Sequence, residues 1–223
     1  MPRNSMTKEE LSKLMTEDSL QLGISLTGDQ ALSFHKYLIE LRAWGRRMNL
    51  ISRSTDREIV IKDFLDSLTG QEHLFRGASL LDLGAGAGFP GVPLKIARAD
   101  LRVALLELIQ KKVYFLRHLV RVLDLAGIEI YRARQEEVEK SLWGTFDFVI
   151  SRAFGSLEKL ATAGLPFLKQ GGILLAMKGK KGEDELNKHL PALINMSLTL
   201  TLLRRFNLPL LGHQRILLGF RRG

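Results

Sequence analysis

A glycine-rich segment directly after an apolar run is the clearest chemical pattern in this sequence. Residues 82–91 read Asp-Leu-Gly-Ala-Gly-Ala-Gly-Phe-Pro-Gly. Gly84, Gly86 and Gly88 allow the backbone to turn sharply and allow a ligand to approach it closely. The dinucleotide fingerprint G-x-G-x-x-G is not matched, because Phe89 occupies its sixth position, and no Gly-Lys-Ser/Thr follows as in a phosphate-binding loop. The segment therefore fits a ligand that lacks a pyrophosphate, or a purely structural turn.

Acidic residues at or after the ends of the next two predicted strands favour the interpretation of this segment as a ligand site. A G-x-G-x-G turn after a strand is typical of enzymes that bind S-adenosylmethionine. Glu107 ends the predicted strand 103–107, where an acidic side chain accepts hydrogen bonds from ribose hydroxyls. Glu136 follows the third strand, where an adenine would lie. Together with the glycine turn, these residues predict an S-adenosylmethionine site.

The fourth predicted strand ends in the segment 151–154, Ser-Arg-Ala-Phe, where the methyl acceptor of such an enzyme would lie. Methyltransferases of exocyclic amines typically have Asn/Asp-Pro-Pro-aromatic at this place, and that motif is absent. The chain also has no cysteine, which excludes disulfides and methylation of carbon through a cysteine adduct. Ring nitrogens and ribose hydroxyls remain as nucleobase acceptors. Guanine N7 has a lone pair and no proton to lose, so its methylation needs positioning rather than a general base.

Arg152 is the candidate for contact with that acceptor. Its planar guanidinium suits a phosphate or a guanine edge. A structural role, in which Arg152 ties the strand to a neighbouring carboxylate, is the alternative. The histidines are scattered and no spacing indicates a metal site; they are His35, His73, His118, His189 and His213.

The charge of the chain points to a nucleic-acid partner. The net charge is +9 and the isoelectric point is about 9.9. The basic residues are clustered at Arg42, Arg46, Arg47, Arg53, Arg57, Lys178, Lys180 and Lys181. A solvated surface without RNA is the alternative. No apolar run reaches the ~20 residues of a membrane helix, and Lys8, Glu9 and Glu10 stand where a signal peptide would be apolar, so a cytoplasmic protein is predicted.

Hydrophobic periodicity divides the chain near residue 78. Residues 1–78 show helical spacing and no strand, which predicts an N-terminal helical extension. Residues 79–223 alternate strands with helices, which predicts one methyltransferase domain. The predicted strands are 79–83, 103–107, 129–131, 146–150, 172–177, 197–203 and 215–220.

The predicted fold is α/β, with a Rossmann-like sheet of about seven strands. Strands joined through helices are expected to be parallel. The last two strands have only a short loop between them, so an antiparallel pair is expected at the C-terminal end.

The sequence resembles the ribosomal small-subunit methyltransferase G family, also called glucose-inhibited division protein B. The matching segments are 49–51 (Asn-Leu-Ile), 65–68 (Leu-Asp-Ser-Leu), 82–93, 111–117 (Lys-Lys-Val-Tyr-Phe-Leu-Arg), 151–154 and 178–179 (Lys-Gly). The resemblance covers nearly the whole chain. It implies transfer of a methyl group from S-adenosylmethionine to N7 of a guanine in 16S ribosomal RNA.

The resemblance also implies roles for individual residues. Gly84 and Phe89 would border the cofactor, Gln135 and Glu136 would lie near its adenine, and Arg152 would line the site. The glycine turn and the acidic strand end add Gly86, Gly88 and Glu107 to the predicted cofactor contacts. Arg152 would act at the catalytic site together with Arg134 and Lys178, which resemble basic residues suited to holding the RNA. The substrate would be naked RNA or the small ribosomal subunit, and no metal is implied.

Three positions depart from the family pattern. Gly45 and Asp63 stand where the family often has Asn and His, and Gln135 stands where a small apolar residue usually precedes the acidic one. The first two leave the function of the helical extension open. The alternatives to the RNA methyltransferase are a methyltransferase of a small molecule or protein, and a non-catalytic RNA-binding protein with the same fold.

Overall fold

The computed structural model describes residues 6–46, 48, 50–51, 55–133, 140–152 and 154–223. Within these ranges no helix is long and apolar enough to cross a membrane.

The helices that precede the sheet begin at well-defined capping residues. They are α1 (Lys8–Thr16), a 3₁₀ helix (Asp18–Leu22) and α2 (Gly28–Gly45). The Thr7 hydroxyl accepts a hydrogen bond from the Glu10 amide, and the Glu10 carboxylate accepts one from the Thr7 amide. Thr27 and Gln30 repeat this arrangement at the start of α2. These capping boxes satisfy amides that the first turn of a helix leaves unpaired.

The third helical segment, α3, changes its hydrogen-bond pattern along its length. It is α-helical over Asp56–Ile59, π-helical over Val60–Leu65 and α-helical over Asp66–Leu68. The Asp66 amide donates to the carbonyls of Ile61 and Asp63, and therefore leaves the Lys62 carbonyl to another donor. π-helical turns inside α-helices are frequent at functional sites.

Seven strands within the described ranges form one mixed sheet, which confirms the predicted fold. They are β1 (Ser79–Leu83), β2 (Arg102–Leu106), β3 (Ile128–Tyr131), β4 (Phe146–Arg152), β5 (Leu168–Gly179), β6 (Leu198–Asn207) and β7 (Gln214–Arg222). Their spatial order is β3-β2-β1-β4-β5-β7-β6. β1 to β5 pair in parallel, and β7 pairs antiparallel with β5 and with β6.

The remaining helices cover both faces of this sheet. They are α4 (Gly91–Ala97), α5 (Gln110–Val122), α6 (Leu157–Gly164) and α7 (Gly182–Asn195), with 3₁₀ turns at Gln71–His73, Lys140–Leu142 and Leu165–Phe167. Side chains of β1 alternate between two cores: Leu80 packs with α1 to α5, whereas Leu81 and Leu83 pack with α6 and α7. The N-terminal helices thus share one core with a face of the sheet.

One edge of the sheet gathers the chain segments that matter for function. The parallel strands β1, β2, β4 and β5 all end at this edge, and β7 begins there, because Gly179 pairs with Arg215. Ligands of open α/β sheets bind at the carboxyl ends of the parallel strands. We call it the carboxyl edge.

Some strands are longer than predicted, because they include exposed residues that the apolar pattern does not mark. β5 begins at Leu168 rather than at residue 172, since Leu168 pairs with Phe146 before a shift in register. Between Leu168 and residue 172, Gln170 and Gly171 are exposed and are not large apolar residues, so the hydrophobic pattern does not mark them as part of a strand. The division of the chain at residue 78 stays a prediction.

Candidate active site

The glycine turn connects β1 to α4 at the carboxyl edge. Gly84, Gly86 and Gly88 have φ angles of 74°, 60° and 103°. A Cβ built on Gly86 would meet no described atom closer than the Gly84 carbonyl oxygen, at 3.8 Å, so this side of the turn is open. A Cβ on Gly88 would lie 2.5 Å from the Tyr37 hydroxyl. Gly86 therefore leaves space for a ligand, whereas Gly88 leaves space for a neighbouring helix.

Glu107 directly follows β2 and is bound to the glycine turn. Its Oε2 accepts a hydrogen bond from the Gly86 amide and its Oε1 accepts one from the Ile109 amide, both at 2.8 Å. A carboxylate can accept further hydrogen bonds beyond these two. The carboxylate can therefore fix the turn and still receive hydroxyl donors of a ligand.

Two exposed apolar side chains adjoin Glu107, and sequence reasoning did not single them out. Leu108 is 46% exposed and Ile109 is 50% exposed. Large apolar side chains exposed beside a polar anchor are typical of a surface that a ligand covers. The sequence signal that could have identified them is their position directly after the acidic residue at the end of a strand.

Asp82 lies beneath the turn and is fully buried. Its Oδ2 accepts a hydrogen bond from the Gly91 amide at 2.8 Å, while its Oδ1 has no partner among the described residues. Burial raises the pKa of Asp82 from 3.8 to about 7, and Glu107 adds to this; the Gly91 amide and Arg152 act in the opposite direction. Sequence reasoning treated Asp82 only as part of the glycine motif, because burial cannot be read from the motif.

Phe89 lies between an aromatic ring and a cation. Its ring stacks on that of Tyr37, with centroids 5.4 Å apart and planes 16° apart. The Arg152 guanidinium carbon lies 4.9 Å from the centre of the Phe89 ring. Only 5% of Phe89 is exposed, so most of its surface contacts protein.

Arg152 ends β4 and is held by helix α3. Its Nη1 donates to the Lys62 carbonyl at 2.7 Å, which is the carbonyl that the π-helical turn leaves to another donor. Its Nη2 donates to Asp63 Oδ1 at 2.6 Å, and Asp66 Oδ2 lies 3.8 Å from Nη1. The side chain is 23% exposed. These contacts supply the structural role that the sequence left as an alternative, while part of the side chain remains exposed.

Lys178 lies in β5 and is 9% exposed. Its Nζ donates to the Gly155 carbonyl at 2.7 Å and to Glu185 at 2.9 Å. The ammonium thus connects β5 to helix α7 and to the loop after β4. The predicted contact of Lys178 with RNA stays a prediction.

Three other predicted residues lie outside the described part of the chain, namely Arg134, Gln135 and Glu136. Of the basic cluster, Arg47 and Arg53 also lie outside it, whereas Arg46, Arg57, Lys180 and Lys181 are exposed. Arg42 forms an ion pair with Asp56 at 2.6 Å. Within the described ranges no group of three or more His, Asp or Glu side chains could hold a metal ion.

A family model described as rRNA small subunit methyltransferase G matches residues 30–207. This match covers the helices α2 and α3, the glycine turn and most of the sheet. The chain belongs to this family. Two relatives named Ribosomal RNA small subunit methyltransferase G are similar over nearly their whole lengths. The protein of Geotalea uraniireducens is 41% identical over 94% of this chain and 95% of its own, and that of Geobacter metallireducens is 36% identical over 94% and 96%.

Solved structures of lower sequence identity have the same fold. A SAM-dependent methyltransferase from Aquifex aeolicus superimposes with a TM-score of 0.58 at 18% identity, over 74% of this chain and 93% of that one. TYW2 of M. jannaschii in complex with AdoMet superimposes with a TM-score of 0.55 at 17% identity, over 71% and 77%. Both support the fold of the family.

Proposed function

We propose that this chain transfers the methyl group of S-adenosylmethionine to N7 of a guanine in 16S ribosomal RNA. The observation that carries the proposal is the turn open at Gly86 and bound to Glu107, in a chain of the rRNA small subunit methyltransferase G family. The family supports the RNA substrate, and the choice of guanine N7 rests on the resemblance of the sequence.

The carboxyl edge offers groups that match the parts of the cofactor. The turn from Gly84 to Gly88 leaves space for the ligand beside its backbone, and Glu107 accepts hydrogen bonds from the ribose hydroxyls. Leu108 and Ile109 offer an apolar surface to the purine. Gln135 and Glu136 remain candidates for the adenine contact on sequence grounds.

The chemistry divides between the cofactor and the protein. The bound cofactor supplies a methyl group on a positively charged sulfur, which the lone pair of N7 displaces in line. Guanine N7 carries no proton, so the protein needs no general base and contributes by positioning and electrostatics. Asp82 is fully buried beneath the turn, so it is not placed to act as a general base. This agrees with a reaction that needs none.

Arg152 occupies the acceptor side of the same edge. The Lys62 carbonyl and Asp63 orient its guanidinium, while its accessible part can donate to a guanine edge or a phosphate. Arg152 also covers the ring of Phe89, which belongs to the glycine turn. In this proposal Arg152 therefore lies between that turn and the methyl acceptor. Arg134 and Lys178 belong to the same proposal as contacts to RNA.

The partner in this proposal is 16S ribosomal RNA, either naked or within the small ribosomal subunit. Stacked bases are poorly accessible, so the target guanine lies in an open loop or leaves its stack. A cytoplasmic location belongs to the proposal, because the substrate is ribosomal.

The test measures transfer from labelled S-adenosylmethionine to defined acceptors. Unmethylated small subunits, naked 16S RNA, a mixture of free metabolites and a sample without acceptor are compared. Mass spectrometry of nucleosides should detect N7-methylguanine in the RNA samples only. Mapping the methylated guanines in RNA from cells with and without the protein then identifies the target.

Other outcomes of this test contradict the proposal in distinct ways. Label on protein or on free metabolites indicates a methyltransferase of another substrate class. RNA binding without transfer to any acceptor indicates a non-catalytic RNA-binding protein.

A further inference from the structure

We propose that Tyr37 is a positioning residue for the cofactor: it fixes the glycine turn from the N-terminal helices, which thereby form part of the binding site. This inference rests on the proposed binding of S-adenosylmethionine at that turn.

The Tyr37 hydroxyl donates a hydrogen bond to the Ala87 carbonyl at 2.5 Å. Tyr37 lies in α2, fifty residues before Ala87, and its side chain is fully buried. Burial raises the pKa of Tyr37 well above its usual value, with a smaller contribution from Asp63. The hydroxyl therefore keeps its proton near neutral pH and acts as a donor to the carbonyl.

Gly88 makes this contact possible. Its φ of 103° is disfavoured for residues with a side chain, and a Cβ there would lie 2.5 Å from the Tyr37 hydroxyl. The same Cβ would lie 2.9 Å from Val92. The third glycine of the motif is therefore explained by the approach of the N-terminal helix, whereas Gly86 faces open space.

A second contact from the same helices reaches the next residue of the turn. Phe89 stacks on the Tyr37 ring, and the Arg152 guanidinium covers the Phe89 ring. Arg152 is in turn held by the Lys62 carbonyl and by Asp63 of α3. The helices α2 and α3 thus both act on the turn: α2 contacts it through Tyr37, and α3 contacts Phe89 through the Phe64 ring, with centroids 5.9 Å apart, and through Arg152.

Among the described contacts, hydrogen bonds from both the sheet and the N-terminal helices hold the glycine turn. From the sheet, Glu107 binds the Gly86 amide and Asp82 binds the Gly91 amide. From the helices, Tyr37 binds the Ala87 carbonyl, which lies between these two points. Ala87 is 3% exposed, so loss of the hydroxyl leaves a carbonyl group without a donor in a buried place. The turn should then move to satisfy that carbonyl, and the backbone beside the cofactor moves with it.

The test compares Tyr37→Phe with a matched variant of the same helix, Phe34→Leu. Tyr37→Phe removes one hydroxyl and retains the aromatic ring. Phe34 lies one helical turn earlier, is also fully buried, and packs on Phe64 with centroids 5.1 Å apart. Phe34→Leu therefore weakens the shared core without removing the donor to Ala87. Calorimetry with S-adenosylmethionine, thermal melting and steady-state kinetics are measured for both variants and for the wild type.

We expect Tyr37→Phe to bind S-adenosylmethionine about tenfold more weakly than the wild type. Its KM for the cofactor should rise by a similar factor, while kcat at saturating cofactor stays within about twofold of the wild type. Phe34→Leu should melt at a lower temperature and bind the cofactor with wild-type affinity. Phe89→Leu, which removes the stacked ring and keeps the hydroxyl, should weaken binding by a smaller factor and serves as a second variant.

The outcomes separate this inference from the function on which it rests. If the wild type binds the cofactor and folded Tyr37→Phe binds it equally well, Tyr37 is not a positioning residue. If both helix variants lose affinity in proportion to their loss of melting temperature, the role of Tyr37 is purely structural. If the wild type itself does not bind S-adenosylmethionine, the proposed function fails instead.

Discussion

The cofactor side of the carboxyl edge, where the glycine turn is bound to the sheet, and the acceptor side, where Arg152 is held by α3, are built from contacts of different range. On the cofactor side, Asp82 and Gly91 are nine residues apart, and Gly86 and Glu107 are 21 apart. On the acceptor side, Arg152 is held by Asp63, which lies 89 residues away. Arg215, at the start of β7, is bound to Asp66 across 149 residues.

The two sides also use charge differently. On the cofactor side, backbone amides donate to two carboxylates and the Tyr37 hydroxyl donates to the Ala87 carbonyl, and the open face is the backbone at Gly86. On the acceptor side, Arg152 and Lys178 are each paired with a carboxylate of a helix that flanks the sheet. The comparison teaches that substitutions on the cofactor side should affect ligand binding directly, whereas those on the acceptor side should affect stability and transfer together.

The largest expected effect is that of Gly86→Val on the cofactor side. The added side chain would fill the space in which we place the ligand, so S-adenosylmethionine binding should be abolished in calorimetry. Gly144→Val is the matched control, because Gly144 has a φ of 64° and a Cβ there would meet no described atom within 4 Å. Its strain is similar and it lies at the opposite edge of the sheet. Wild-type affinity in a folded Gly86→Val protein would refute the site.

The second prediction concerns pH and Asp82. Its pKa in the folded protein, about 7, lies above the ordinary 3.8, so folding takes up a proton between these values. The stability of the wild type should therefore fall as pH rises from about 4 to about 7, by at most about 4 kcal/mol from this group, and then level off.

Asp82→Asn mimics the protonated acid, retains an acceptor for the Gly91 amide and should lack this decline. The free energy of unfolding in urea is measured for both proteins at pH 5 and pH 8. Subtracting the pH-dependent change of Asp82→Asn from that of the wild type cancels the contributions of other ionisable groups. Parallel pH dependence in the two proteins would show that Asp82 ionises normally.

The third prediction tests the acceptor side through Arg152→Ala and Asp63→Asn. If Arg152 positions the acceptor, single-turnover transfer by folded Arg152→Ala should fall by about tenfold or more, with cofactor binding retained. Asp63→Asn keeps the guanidinium and removes the charge of its partner, so transfer should stay close to that of the wild type. Both variants should melt at lower temperature, because each disrupts a partly buried ion pair.

A purely structural Arg152 gives a different pattern in the same pair. Both variants would then lose activity only in proportion to their unfolded fraction. Normal transfer by a stable Arg152→Ala protein would exclude both roles.

The smallest expected effect is on the salt dependence of RNA binding. Lys180 and Lys181 are exposed, so replacing each by Ala should reduce the log–log salt slope by about 0.9 for a duplex contact or about 0.7 for a single strand. Lys178→Ala should in addition lower the melting temperature, because Lys178 is buried and paired with Glu185. A wild-type slope near zero would show that the basic residues are only solvated surface.

Much of the fold could be predicted because its signals are local. The alternation of strands and helices from Ser79 onward follows from hydrophobic periodicity, and all seven strands were predicted with small errors in length. The largest errors, of four residues each, are at the start of β5 and the end of β6, where strand residues are exposed. The π-helical turn at Val60–Leu65 could not be predicted, since its apolar spacing is that of an ordinary helix.

The candidate site could be predicted only in part. Gly86 and Glu107 were identified because their residue types and positions after strands carry a signal, and the structure brings them into contact. Tyr37 and Asp63 were not identified as parts of the site. Each is an ordinary residue of an amphipathic helix until the partner that it meets is known.

The sequence by itself determined the glycine turn, the alternation of strands and helices and the family, because turn chemistry and periodicity depend on residues close together in the chain. Only the tertiary structure decided which side of the turn is open, which charges are paired and how the N-terminal helices reach the site. These depend on distances between segments up to 149 residues apart, and such distances arise from packing of the two cores on the sheet. Gly88 illustrates the difference: the motif contains the glycine, but the φ of 103° and the close approach of Tyr37 and Val92, which require it, are set by the tertiary structure.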